Sequence, residues 1–275
     1  MDLYLKGRRA LVTGSSSGIG EAIAHMLAEE GAVVVVHGRN RERAEKVAAD
    51  INAAGVAIGD LSTDEGAAAV HSAAVAALGG NIEILINNAG GSSTGNTSRP
   101  PLDIGIADWV SNYNANALGS VRMVHLAVPD MVAATFGRVI NVSSAVAIQP
   151  NNLGTDYSAA KAALNNFTVS LAGSLKGVGV TVNTVTPGVI MVDGLIRFAR
   201  TRYNDPEMSF EEIAQRLAGE KVFDLPPVGR LGLPEEVAMV ACMRKMLSTL
   251  NQMVRNGETF DATKYASMAE VQSCR

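Results

Sequence analysis

Arg8-Arg9-Ala10-Leu11-Val12-Thr13-Gly14-Ser15-Ser16-Ser17-Gly18-Ile19-Gly20 is the stretch that decides the fold. Its first half is short and apolar, the pattern of a buried strand, and it runs straight into glycines spaced Gly-x3-Gly-x-Gly. From Glu21 to Glu29 the apolar positions Ile23, Met26 and Leu27 share one helical face, and Gly31 follows as a stop. Strand, glycine turn and helix, in that order, form the setting in which backbone N–H groups and a helix N-terminus hold a phosphate. Gly14, Ser16, Ser17, Gly18, Ile19 and Gly20 are therefore candidate nucleotide contacts. Taken alone, the loop also fits an ordinary strand-to-helix turn.

Working outward, the same alternation repeats. Val33-Val34-Val35-Val36 reads as a strand buried on both faces, as in a parallel sheet. Helix is expected over 42–53, strand over 56–59, helix over 65–78 and strand over 82–86. A long helix follows over about 106–128, broken by Asn112, Asn114, Asn116 and Gly119, a cluster that predicts a kink or a polar role. Strands are expected over 138–142 and 180–185, with a last short one at Asn256–Asp261. This pattern predicts an α/β single domain over 1–275, a doubly wound parallel sheet of about seven strands with helices on both faces. Ligands of such sheets collect beyond the carboxyl ends of the strands. Here those ends carry Gly14, Arg39, Asp60, Asn88, Ser143 and Ser144. Between Met191 and Arg230 the alternation lapses, which predicts a lid or substrate loop with a short helix over 210–217.

The residue after a dinucleotide site's second strand sets cofactor choice. An acid there bonds the ribose 2′-hydroxyl, and a base meets a 2′-phosphate. This chain has Gly38 and then Arg39, so NADP(H) is favoured over NAD(H). Arg41 and Arg43 are expected on the solvated face of the next helix, paired with Glu42 and Glu45.

Composition excludes several classes. The 275 residues are 47 % hydrophobic and 18 % charged, enough for a sizeable core and against global disorder. A net charge of −4 and 4 % aromatic content give no case for nucleic acid. Cys242 and Cys274 have neither metal-ligand spacing nor a disulfide framework, so no metal is expected. No signal peptide and no apolar run of about 18 residues is found, which points to a cytoplasmic protein without membrane contact.

One further stretch carries chemistry. In Asp156-Tyr157-Ser158-Ala159-Ala160-Lys161, a spacing of four puts Tyr157 and Lys161 one helical turn apart on one face. A phenol titrates near pH 10, and an ammonium one turn away is expected to lower that value and make Tyr157 a usable general acid/base. Alone, such a pair also fits two exposed residues on a surface helix.

Together these motifs are identified with a family. Thr13-Gly14-x3-Gly18-Ile19-Gly20, Asn87-Asn88-Ala89-Gly90, Ser144, Tyr157-x3-Lys161 and Pro187-Gly188 occur in the order and spacing of the short-chain dehydrogenase/reductase family. Over about residues 5–240 the chain resembles the bacterial 3-oxoacyl-(acyl carrier protein) reductase type. The resemblance implies a Rossmann-type fold and an oxidoreductase that moves a hydride between a nicotinamide cofactor and a carbonyl or secondary alcohol. Tyr157 then matches the proton donor, Lys161 the residue that lowers its pKa and bonds the nicotinamide ribose, and Ser144 the hydroxyl that bonds the substrate oxygen. Asn116 matches the residue that kinks the helix and holds a relay water, and Ser143 reads as structural. Gly14, Ser17, Ile19, Asp60, Leu61, Asn88, Ala89 and Gly90 match cofactor contacts, with Pro187, Gly188 and Val189 beside the nicotinamide. A homodimer or homotetramer is implied.

Two departures stand out. Val192 occupies the position of a Thr that usually bonds the nicotinamide carboxamide, and Ala262-Thr263-Lys264 replaces the usual ending. They leave a non-catalytic NADP-binding sensor or scaffold as the alternative. The substrate stays open: Leu195, Ile196, Phe198 and Phe223 suggest apolar walls. Arg197, Arg200 and Arg202 suit either an acidic partner or a solvated basic face.

Overall fold

The computed structural model describes residues 4–91, 100–150, 154–220, 222–223, 225–226 and 228–243. Residues through Cys242 form one compact unit. Six parallel strands make one sheet: β1 (Arg9–Val12), β2 (Val33–Gly38), β3 (Gly55–Ile58), β4 (Ile84–Asn87), β5 (Gly137–Val142) and β6 (Val180–Val185). Their order is β3-β2-β1-β4-β5-β6, so the order reverses between β1 and β4. Among the described residues the count is six, against an expected seven or so. The stretch expected as a last strand, Asn256–Asp261, lies outside the described residues, as does the tail beyond Met243.

Alternate residues of each strand enter opposite cores, which is why the strands read as unbroken apolar runs. Leu11, Val35, Leu85 and Val139 face one side, where they pack with α3 (Asp64–Leu78), α5 (Gly119–Ala133) and α6 (Thr155–Ser174). Ala10, Val12, Val34, Ile84, Ile86 and Ile140 face the other, against α1 (Gly18–Glu29) and α9 (Pro234–Met243). Val36 packs with Ala44 and Val47 of α2 (Arg41–Asp50). Helix starts follow their caps. The Asn40 side chain accepts from Arg43 N at 2.9 Å, and Thr63 accepts from Gly66 N at 3.1 Å. No helix of the described residues is long and apolar enough to cross a membrane.

Two segments differ from expectation in detail. The long helix is two helices, α4 (Ile106–Tyr113) and α5, joined by a π-helical turn over Asn114–Leu118 at the asparagine cluster. The segment after β6 holds two helices, α7 (Asp193–Arg202) and α8 (Phe210–Gly219), of which α8 starts with a capping box from Ser209 and Glu212. These helices have a small core of their own, built on Met191, Ala199, Met208, Ile213 and Leu217. Leu195, Ile196 and Phe223 pack against it and are partly buried.

A buried polar chain fixes α6 to the sheet. Asn87 Nδ2 donates to Asn141 Oδ1 at 2.9 Å, and Asn141 Nδ2 donates to Thr168 Oγ1 at 2.8 Å. Asn141 is fully buried, so losing it leaves the Asn87 amide without its acceptor. An unsatisfied buried donor costs about 1–3 kcal/mol. Asn141→Ala should lower the unfolding free energy by at least that range in urea titration. An unchanged midpoint would show that the chain contributes nothing.

Candidate active site

The glycine loop is held in place before any ligand is considered. Thr13 Oγ1 donates to Ile86 O at 3.2 Å and accepts from the backbone N–H groups of Asn88 and Ala89 at 2.9 and 3.0 Å. The Asn88 amide donates to Thr13 O and Gly14 O, both at 3.0 Å. The end of β1 is thereby tied to the end of β4 where the strand order reverses. Gly20 lies so close under this turn that a Cβ would sit 2.3 Å from Gly14 O and 2.4 Å from Asn88 Nδ2. Helix α1 then begins with Ser17 at its N-cap and no side-chain cap bond, which leaves its first N–H groups directed at the cleft.

His37 completes the brace. Gly14 N donates to His37 Nδ1 at 2.8 Å, and His37 Nε2 lies 3.3 Å from Gly59 O. The pair of contacts fits one neutral tautomer, with the proton on Nε2. Burial, the largest cause, lowers the His37 pKa to about 4. The sequence motif includes Thr13 without a role for it and does not include His37. The one available signal was a hydroxyl and an imidazole at the ends of two strands that flank a glycine loop.

Two contiguous hollows, of about 600 and 370 Å³, form the cleft. Both are lined by Gly14, Ser16, Ser17, Arg43, Ala89 and Gly90. The larger adds Gly18, Ile19, Asn88, Tyr157, Lys161 and Val192, and the smaller adds Arg39, Asp60 and Leu61. Arg43 is exposed, as expected, but it stands on the rim of the cleft and forms no ion pair among the described residues. Arg41 does pair, with Glu45 at 3.2 Å. Asn40 caps α2, whose buried side carries Ala44 and Val47, and Arg43 stands exposed at the rim of the cleft.

The larger hollow ends at Tyr157 and Lys161. Lys161 is 3 % exposed, its Nζ donates to Val142 O at 2.9 Å, and it stands 5.8 Å from the centre of the Tyr157 ring. Burial lowers its pKa to about 8, so the ammonium form prevails at pH 7. The Tyr157 phenol does not follow expectation. Burial raises its pKa, and a hydrogen bond with Ser144 opposes that rise. Burial disfavours the charged phenolate more than the Ser144 bond favours it.

Ser144, Asn116, Pro187, Gly188, Val189 and Gly20 do not line either hollow. Ser144 reaches the site through the phenol. Asn116 stands behind the loop after β4: its Nδ2 donates to Gly91 O at 2.8 Å and to Asn112 O at 3.1 Å, while Gly91 N donates to its Oδ1 at 2.8 Å. A Cβ on Gly90 would lie 2.5 Å from that Oδ1 and 3.3 Å from Lys161 Nζ, so the residue there has to be glycine. Asn112 in turn donates to Asp156, a buried carboxylate beside Tyr157. Ser143 Oγ contacts Lys161 O at 3.4 Å, in keeping with a structural part. Pro187 O accepts from Ala145 N at 2.8 Å and sets the end of β6 next to Ser144.

Residues 8–201 match the family model described as short chain dehydrogenase. The chain belongs to the short-chain dehydrogenase family. Among curated relatives, the 3-oxoacyl-(acyl-carrier-protein) reductase of Aquifex aeolicus is 35 % identical over 246 residues, covering 87 % of this chain and 90 % of that protein. An uncharacterised oxidoreductase of Bacillus subtilis is 34 % identical over 246 residues, covering 86 % and 89 %. Among solved structures, L-sorbose reductase from Gluconobacter frateurii, in complex with NADPH and L-sorbose, superposes with a TM-score of 0.80 at 31 % identity, covering 89 % of this chain and 91 % of that one. Family membership makes this chain an oxidoreductase of that class with a nucleotide-binding fold.

The buried imidazole of this dehydrogenase gives a pH signature. Its folded pKa lies below the unfolded 6.5, so the unfolded chain takes up the proton first as pH falls. The associated stability is intact above pH 6.5 and is lost by pH 4, roughly 3 kcal/mol at 1.4 kcal/mol per unit. His37→Asn should flatten that part of a denaturation-against-pH curve. An equally steep curve in the variant would assign the loss to other groups.

Proposed function

We propose that this chain is an NADP(H)-dependent oxidoreductase that interconverts a carbonyl and a secondary alcohol, with Tyr157 as the general acid/base. One observation carries the reading: a phenol bonded by Ser144, with a buried ammonium beside it, in the same hollow as an uncapped helix N-terminus behind a glycine turn. The cleft fits a dinucleotide: Gly14, Ser16 and Ser17 run along both of its parts, and free first-turn N–H groups suit a diphosphate. Such a cofactor, when bound, supplies or takes the hydride.

The chain's own part is the proton. In the reducing direction Tyr157 Oη gives its proton to the oxygen of the carbonyl, and its raised pKa keeps the phenol protonated until then. As negative charge grows on Oη, Lys161 meets it as a buried cation. The attraction is strongest where the charge is fullest and contributes to the transition state more than to the ground state. Ser144 holds the phenol and offers a second polar contact to the reacting oxygen. Asn116 acts further back, by holding the Gly90–Gly91 backbone against the site.

The preference for a 2′-phosphate rests on Arg39 and Arg43, which share the smaller hollow with Ser16 and Gly38 and have no acid in the place of the latter. The L-sorbose reductase and Agrobacterium tumefaciens 3-oxoacyl reductase structures, with NADPH and NADP bound, support it by likeness. Reduction of a 3-oxoacyl thioester is one activity the relatives suggest.

Tyr157→Phe should lower kcat by about 10²–10⁴-fold while the Kd for NADPH holds, because only the proton is removed. Turnover close to wild type would end the assignment. Arg39→Ala and Arg43→Ala should each weaken NADPH binding by about 1–3 kcal/mol in calorimetry and leave NADH binding nearly unchanged. Equal losses for the two cofactors would count against contact with the 2′-phosphate.

A further inference from the structure

Among the described arginines, three have no hydrogen bond, ion pair or ring contact from the guanidinium, and all three line the cleft: Arg39, Arg43 and Arg197. The others are engaged. Two examples lie beside Arg197 on the same helix. Arg200 donates to Met208 O at 3.2 and 3.1 Å, and Arg202 pairs with Glu220 at 2.7 Å. The sequence alone does not separate Arg197, Arg200 and Arg202; the structure leaves Arg197 of these open to a ligand.

Arg197 belongs to the larger hollow, with Tyr157 and Lys161. Four residues of the segment after β6 line it: Val192, Asp193, Gly194 and Arg197. Of these side chains only Arg197 carries a hydrogen-bond donor. Asp193, one helical turn earlier, shares the wall without pairing to it, and Glu21 lies there too, so the guanidinium is what lets this stretch hold an anion. In a chain of net charge −4, three unengaged guanidinium groups gathered in one cleft form a positive track for an acidic ligand.

We propose that Arg197 binds an anionic oxygen group, carboxylate or phosphate, of the ligand that lies over Tyr157. The proposal rests on the oxidoreductase reading above. The anion has two available sources: the diphosphate of the dinucleotide, or an acid group on the substrate. A planar guanidinium suits both, bidentately.

Arg197→Ala and Arg197→Lys test it, with Arg200→Ala as the comparison. Arg197 is exposed and unpaired, so its variants should keep the wild-type Tm, whereas Arg200→Ala should lower it. Calorimetry would give Kd for NADPH and for NADH. It would then give Kd for a set of 2-oxo and 3-oxo acids and their methyl esters on protein saturated with NADP, with KM where turnover is seen. A substrate source predicts that Arg197→Ala weakens an acid roughly tenfold to a hundredfold and its ester less than twofold, with partial rescue by Lys. A cofactor source predicts a like loss for NADPH and NADH together and no acid-against-ester difference. Unchanged binding of both cofactors, with no acid whose affinity depends on Arg197, overturns the proposal. The binding readouts hold without turnover, so a failed carbonyl assay would count against the oxidoreductase reading and leave this test intact.

Discussion

The close approach of α1 to the turn between β1 and β4 is the constraint on which the rest depends. Gly20 has no side chain to hold the helix off, and Asn88 uses the space to bond Thr13 and Gly14. A turn braced in this way keeps its remaining N–H groups pointing outward, into the cleft, at no further cost in ordering when a ligand arrives. The same brace sets β4 beside β1, and with it the reversal in strand order where the cleft opens.

At the other end of the cleft, position is set by polar groups that never face it. The Asn87–Asn141–Thr168 chain ties α6 to the sheet, and α6 carries both Tyr157 and Lys161. The Asp156–Asn112–Asn116 chain ties the start of α6 to the π-helical turn and to Gly91. Buried polar groups of this kind are expensive to leave unpaired, so each admits few alternative arrangements. Tyr157 and Lys161 inherit that restriction. The phenol and the ammonium need no movement of their helix to stand near one another.

Burial acts on the two in opposite senses. It raises the phenol and lowers the ammonium, because the charged form is disfavoured in each case. Their environment therefore keeps the proton on Tyr157 at rest and leaves Lys161 charged at pH 7. In the proposed reaction, a phenolate on Tyr157 would gain from that ammonium what the resting phenol does not.

The sequence by itself determined the layering and the place of the cleft. Apolar runs too uniform for a half-exposed sheet, alternating with amphipathic helices, admit few arrangements other than a doubly wound parallel sheet. Glycines at 14, 18 and 20 and polar residues at the strand ends mark one edge of that sheet. Local patterns of period two and 3.6 carry this information because burial imposes them. They do not carry partner choice. Whether Arg43 pairs with an acid or is left at the rim of the cleft, whether Leu195 finds a small core to pack against, and which of Arg197, Arg200 and Arg202 is left unengaged depend on atoms far away in the chain. The tertiary structure alone decided these, along with the His37 brace and the direction of the Tyr157 shift, because each is set by what packs around a side chain and not by its neighbours in sequence.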